Sequence, residues 1–99
     1  MVAYCPDTAS CENAILLAEG ADLLIAECAL RPGEESRVWP HLNPQTAAQI
    51  ARRAGAKRLA LTHFDAARYK TIQERLDAAK TVSDFQSPVV ACDDMVLRL

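Results

Sequence analysis

The 99-residue sequence has no surplus of positive charge: 11 Lys and Arg stand against 13 Asp and Glu, for a net charge of -2. A global field drawing the chain to nucleic acid or to an anionic membrane is excluded, so net charge does not indicate a nucleic-acid partner. Long apolar runs are missing too. The longest, residues 14–18 and 23–26, fall far short of the roughly 20 residues that a membrane-spanning helix needs. The opening residues, Met1-Val2-Ala3-Tyr4-Cys5-Pro6-Asp7, have neither the basic start nor the apolar stretch of a secretory signal, so a cytoplasmic setting is expected. Closely paired cysteines are lacking: among Cys5, Cys11, Cys28 and Cys92, the nearest two are separated by five residues. Without C-x-x-C pairs or a regular framework, reduced thiols are expected rather than a structural zinc site or a set of disulfides. No repeat, low-complexity tract or linker divides the chain, so residues 1–99 read as a single domain.

What is present is a hydrophobic share of 51% against 24% charged, the balance of a globular chain able to bury a modest core. Val2-Ala3-Tyr4-Cys5 reads as a short strand broken by Pro6-Asp7-Thr8. Ser10 is placed as the N-cap of a helix through Ala14, Leu17 and Ala18 that Gly20 stops. Leu23-Leu24-Ile25-Ala26 shows no alternation, as in a strand buried on both faces of a parallel sheet. After a loop at residues 31–39, Asn43-Pro44 sets an N-cap before a proline at the first helical position. The apolar stripe Ala47, Ala48, Ile50, Ala51 and Ala54 then runs to Gly55. Leu59-Ala60-Leu61-Thr62 reads as a further buried strand, and Tyr69, Ile72, Leu76 and Ala79 as the stripe of a third helix. Residues 89–91 and 95–97 are expected to be two closing strands around a turn at Asp93-Asp94. The order β-α-β-α-β-α-β-β specifies an α/β layer with a mostly parallel sheet. Three helices covering one sheet face leave the other in need of a cover.

Ligands of open α/β sheets gather beyond the carboxyl ends of the strands, and three successive strands end at Asp7, Glu27 and His63. A carboxylate and an imidazole at one edge are a metal-ligand pair; the same residues also suit a helix cap and a loop imidazole bonded to backbone. His41 precedes the cap of the second helix, where the macrodipole favours anions, so a phosphate fits there. Glu27 is placed to hydrogen-bond His41 and raise its basicity, as for a general acid; a partly buried Glu that caps a helix, with an exposed histidine, is the equal alternative. Arg52, Arg53, Lys57 and Arg58 read as a solvated face at a helix end. Cys5 reads as a small buried residue, and Trp39 either lines a pocket or packs.

These residues resemble, in order, a known pattern. Tyr4-Cys5-Pro6-Asp7-Thr8 is similar to Y-S-G-D-T, Leu24-Ile25-Ala26-Glu27-Cys28-Ala29-Leu30 to L-I-H-E-A-T-F, and His41-Leu42-Asn43-Pro44-Gln45-Thr46-Ala47-Ala48 to H-L-T-P-E-E-A-A. Residues 54–64 resemble A-G-V-K-R-L-V-L-T-H-F, and Arg68-Tyr69 and Asp93-Asp94-Met95-Val96 continue as R-Y and D-G-M-V. All belong to the metallo-β-lactamase-fold hydrolases, in their ribonuclease Z and phosphodiesterase-like branch. The resemblance implies the C-terminal half of an αββα sandwich and phosphoester hydrolysis with zinc, or manganese, when the site is complete. It makes Asp7 a bridging metal ligand, His63 a terminal one, and His41 the phosphate-contacting residue or general acid oriented by Glu27. Ala26 and Pro6 depart from the pattern, and the family's H-x-H-x-D-H motif belongs to an N-terminal half. With only two histidines, the two-metal site is expected to need that missing half; self-association through the inner sheet face is the other expected partnership. A truncated, non-catalytic oligomeric or partner-binding module is the alternative.

Overall fold

The computed structural model describes residues 1–5, 11–84 and 88–98. Four strands, β1 (Val2–Cys5), β2 (Leu23–Glu27), β3 (Leu59–Thr62) and β4 (Val89–Val90), alternate with helices α1 (Glu12–Ala18), α2 (Pro44–Ala54) and α3 (Ile72–Lys80). The strands lie side by side in sequence order and every pairing is parallel. Each crossover therefore carries a helix, as parallel neighbours require. The α/β order expected from the sequence holds through these seven elements.

Register explains which side is filled. Ala3, Cys5, Leu24, Ala26, Leu59 and Leu61 fall on one face, where they join Ala14, Ala18, Ala47, Ile50, Ala51 and Ala79 of the three helices in the core. On the opposite face Val2 and Tyr4 are about half exposed and Ile25 is partly so, whereas Leu23 and Ala60 are buried. The uncovered apolar surface is thus concentrated along β1, at the sheet edge.

The best-determined element is α2. The Asn43 side chain accepts from the Thr46 amide while the Thr46 hydroxyl accepts from the Asn43 amide, and Pro44 follows the cap. This reciprocal box, with Gly55 in the left-handed region at φ 70°, fixes both helix ends. Gly55 and Gly20 lead straight into turns whose amides bond back to α1, α2 and their loops.

Three local expectations change. Ser10, read as the cap of α1, lies outside the described residues, and the cap position is taken by Cys11 with no side-chain cap bond. Tyr69 is buried but precedes α3, because its hydroxyl donates to the Leu30 carbonyl at 2.6 Å and ties it to the loop after β2. Alanines 78 and 79 form the buried side of α3, leaving Ile72 and Leu76 exposed. The closing strand at residues 95–97 is not formed. The chain turns at Cys92, whose carbonyl accepts from the Met95 amide, Asp94 takes a left-handed φ of 63°, and Val96 is left exposed. The two-residue β4 pairs only with β3 among the described residues, too short an edge to template another strand.

Candidate active site

The sheet delivers two site residues at its carboxyl edge. Glu27 is the last residue of β2 and is fully buried. His63 follows β3 directly and sits at φ 56°, a left-handed conformation uncommon for a residue with a Cβ, so the chain turns sharply as the strand ends. The loop between β2 and α2 brings in the third, His41, whose side chain is only 7% exposed.

Glu27 is first of all an acceptor for backbone. One carboxylate oxygen accepts the Leu42 amide at 2.6 Å and the other the Ala29 amide at 2.9 Å. The carboxylate thereby stitches the strand end to the loop that carries His41. The His41 Nδ1 stands 3.4 Å from the same oxygen that Leu42 uses, close enough for an ion pair. It is not in line for a hydrogen bond, and Nδ1 is buried with no hydrogen-bond partner among the described residues. The two groups are thus adjacent, a ring nitrogen facing a buried carboxylate oxygen, with no hydrogen bond formed between them.

His41 is sandwiched by aromatic neighbours. Its ring stacks on that of His63 with centroids 6.1 Å apart, and Trp39 meets it edge-on at 4.1 Å. Above the indole lies Arg68, 4.6 Å from the ring centroid. Arg68 is held by Glu34, whose two oxygens share its Nε–H at 2.9 Å, and by Asp65, which accepts from a terminal nitrogen at 2.7 Å. The hydrogen bond from Arg68 holds Asp65 below the usual carboxylate range; for Glu34 the Arg31 amide is the main cause, with Arg68 adding to it. Partners, in turn, hold the guanidinium above its ordinary value, Asp65 foremost. Below the site, burial pushes the Cys28 thiol up to about 12 and raises the Tyr69 phenol. These two groups lie 3.9 Å apart and are buried.

The structure therefore brings Glu27, His41 and His63 together at one sheet edge. Asp7 lies outside the described residues. Glu34 and Asp65 carry no role of their own in the sequence, and Arg68 enters it only as the R-Y element of the resemblance; Arg68 meets the two carboxylates across 34 and 3 positions. The one local signal was Asp65, three positions before Arg68. No group of three His, Cys, Asp or Glu able to hold a metal ion occurs among the described residues. The donors present do not close a metal site on their own.

A family profile described as the beta-lactamase superfamily domain matches residues 1–64. This chain belongs to the metallo-β-lactamase superfamily. In structure it is similar to the metallo-β-lactamase fold protein YhfI from Bacillus subtilis, with a TM-score of 0.78 and 33% identity over 97% of this chain and 39% of that one. The short form of human tRNase Z matches at a TM-score of 0.62 and 30% identity, over 88% of this chain and 27% of that one. Among curated proteins it is 47% identical to ribonuclease Z of Methanothermobacter thermautotrophicus and 36% to that of Porphyromonas gingivalis. The alignments cover 99% and 98% of this chain but 32% of either relative. The chain thus spans about a third of the curated relatives it matches, and corresponds to part of the superfamily's fold. No helix among the described residues is long and apolar enough to cross a membrane.

Proposed function

We propose that this chain supplies the proton-transfer half of a zinc-dependent phosphoester hydrolase of the ribonuclease Z and phosphodiesterase kind. The observation that carries the reading is the buried Glu27–His41 pair at the carboxyl edge of the sheet, beside His63. In this reading His41 donates a proton to the leaving oxygen, Glu27 holds the ring by Nδ1, and the second ring nitrogen faces the substrate. His63 and Asp7 are metal ligands whose set is completed by residues outside this chain, with zinc the expected metal and manganese the substitute. The similarity to ribonuclease Z proteins supports this, and a cytoplasmic setting suits a chain with four cysteines and no closely spaced pair.

The test is a chimera in which this chain replaces the corresponding third of the Methanothermobacter ribonuclease Z. Metal-dependent hydrolysis of bis(p-nitrophenyl) phosphate is expected, falling by about 100-fold or more with His41→Ala. A folded, metal-loaded chimera without turnover contradicts the proposal.

A second reading is a non-catalytic module that associates through its uncovered sheet face, with itself or with a partner chain. Val2 and Tyr4 on that face are the observation behind it. A monomeric chain in light scattering counts against self-association.

A further inference from the structure

Beyond the Glu27–His41 pair, the contacts around His41 show what sets the plane of its ring. No hydrogen bond at Nδ1 does so: that atom is buried without a partner among the described residues, and the Glu27 oxygen 3.4 Å away already accepts the Leu42 amide at 2.6 Å. The ring of His63 is near-parallel but 6.1 Å off. The close neighbour is Trp39, whose ring centroid lies 4.1 Å from that of His41 with the planes at 69°. An imidazole free of such a bond turns over a broad range about χ2, so this contact decides which way its nitrogens point.

Trp39 cannot hold the ring alone, because it lies in the loop between β2 and α2 and is 37% exposed. Arg68 closes over it, 4.6 Å from the indole centroid. Indole is the strongest cation–π partner, and a planar guanidinium also stacks on it. The guanidinium is itself fixed at two edges. Both Glu34 oxygens share its Nε–H at 2.9 Å, and Asp65 accepts from a terminal nitrogen at 2.7 Å. Each carboxylate is anchored in turn. Glu34 accepts the Arg31 amide, and its backbone carbonyl accepts from the side chain of Asn43, the cap of α2. Asp65 follows His63 by two positions, and its backbone carbonyl accepts the Arg68 and Tyr69 amides. The clamp therefore spans the loop after β2 and the loop after β3, which carry His41 and His63.

Its burial separates this cluster from the other ion pairs. Arg68, Glu34 and Asp65 are each about a quarter exposed, whereas Arg52–Asp84 and Arg53–Glu12 are more than half exposed at both ends. A cation beside the site could instead contact a substrate phosphate, but its commitments count against that. Nε and a terminal nitrogen are on carboxylates, one face is on the indole, and two carboxylates against one guanidinium leave an excess negative charge.

We propose that Trp39, clamped by Arg68, is a positioning residue for His41: together they hold the ring so that Nδ1 stays against Glu27 and the second nitrogen keeps one direction. The inference rests on the proton-transfer reading above and adds to it two residues that act only through His41. Misplacing a reacting group by about 1 Å costs about 100-fold in rate. Loosening the ring without removing it should cost part of that.

Two measurements test the proposal, one of them without turnover. In the 99-residue chain, nuclear Overhauser cross-peaks between the Trp39 indole and the His41 ring are expected, with His63→Gln assigning the two histidines. Arg68→Gln and Arg68→Lys should abolish them, since lysine keeps the charge but has no planar fork. Arg52→Gln, at an exposed ion pair, should leave them intact. The amide spectrum of each variant reports whether it remains folded. In the chimera, Trp39→Leu and Arg68→Gln should each lower kcat for bis(p-nitrophenyl) phosphate about tenfold, with KM changed by less than about twofold, and Trp39→Phe should recover most of the loss. In a His41→Ala background, Trp39→Leu should cost nothing further, because its effect runs through that ring. Cross-peaks that persist in folded Arg68→Gln, an unchanged kcat in Trp39→Leu, or an equal loss with and without His41 would overturn the proposal. A chimera without turnover contradicts the phosphoester reading instead, and the cross-peaks decide the clamp whatever the chimera does.

Discussion

Removing the Glu27 carboxylate should cost this small domain a large share of its stability. The residue is fully buried and accepts two backbone amides, from Leu42 at 2.6 Å and Ala29 at 2.9 Å. In Glu27→Ala both donors stay buried without an acceptor, at about 1–3 kcal/mol each. Relief of the buried charge's own desolvation works in the opposite direction. The net loss expected is about 2–4 kcal/mol, against a total of about 5–15 kcal/mol for a chain of this length. Glu27→Gln keeps one carbonyl for one amide and turns an NH₂ toward the other, so its loss should be smaller, about 1.5–3 kcal/mol. Urea unfolding followed by circular dichroism gives both numbers from the shift in midpoint at constant slope. Hydrogen exchange tells the cause: the Leu42 and Ala29 amides should lose protection before the amides of β2. A loss below about 1 kcal/mol in Glu27→Ala, or unchanged protection of those amides, would refute the view that this carboxylate pins the His41 loop.

Other consequences are open to direct measurement. Asn43→Ala removes both the cap of α2 and a bond from the Asn43 amide group to the Glu34 carbonyl, so a loss of about 1–2 kcal/mol and a melting point lower by about 4–16 °C are expected by calorimetry. Glu34 and Asp65 both ionise below the ordinary carboxylate range, so the contact they hold in place is present above that range and lost as pH falls through their lowered values. Fluorescence of Trp39, the only tryptophan, should report the release of Arg68 with a midpoint below the ordinary carboxylate range, and Arg68→Ala should abolish that step. Of the four thiols, Cys11 and Cys92 are exposed and Cys5 and Cys28 buried, with burial the main cause raising both buried thiols. A disulfide reagent at pH 8 should therefore modify two per chain quickly and the other two only on unfolding.

How much of this was legible in the sequence depends on the reach of each interaction. The ends of α2 were readable because cap, proline and terminal glycine all act within a turn of the helix. The runs at β2 and β3 were readable because a strand buried on both faces carries no polar interruption, and His63 was placed by the end of such a run. Glu27 and His41 were paired by resemblance and by the rule that ligands gather at strand ends. The clamp on the Leu42 amide was not readable, because a backbone donor has no signature in side-chain identity. Tyr69 continued the helical spacing of Ile72 and Leu76, yet its hydroxyl is committed to a carbonyl 39 positions earlier, and that long-range bond overrides the local period. Residues 95–97 had strand-like composition, but a strand needs a neighbour with free edge groups, and pairing cannot be read from one segment alone. Ile72 and Leu76 mark the apolar stripe of α3 yet are exposed, because periodicity shows that a face is apolar without showing what it faces.

The central claim is that His63 and its edge partners are one part of a metal centre completed by residues outside this chain. Zinc content per chain, by elemental analysis after dialysis against a weak chelator, tests it most directly. A value near zero is expected for the 99-residue chain and about two zinc ions for the chimera, reduced by His63→Ala. A stoichiometric, tightly held zinc on the isolated chain, or a folded chimera without zinc, would contradict it.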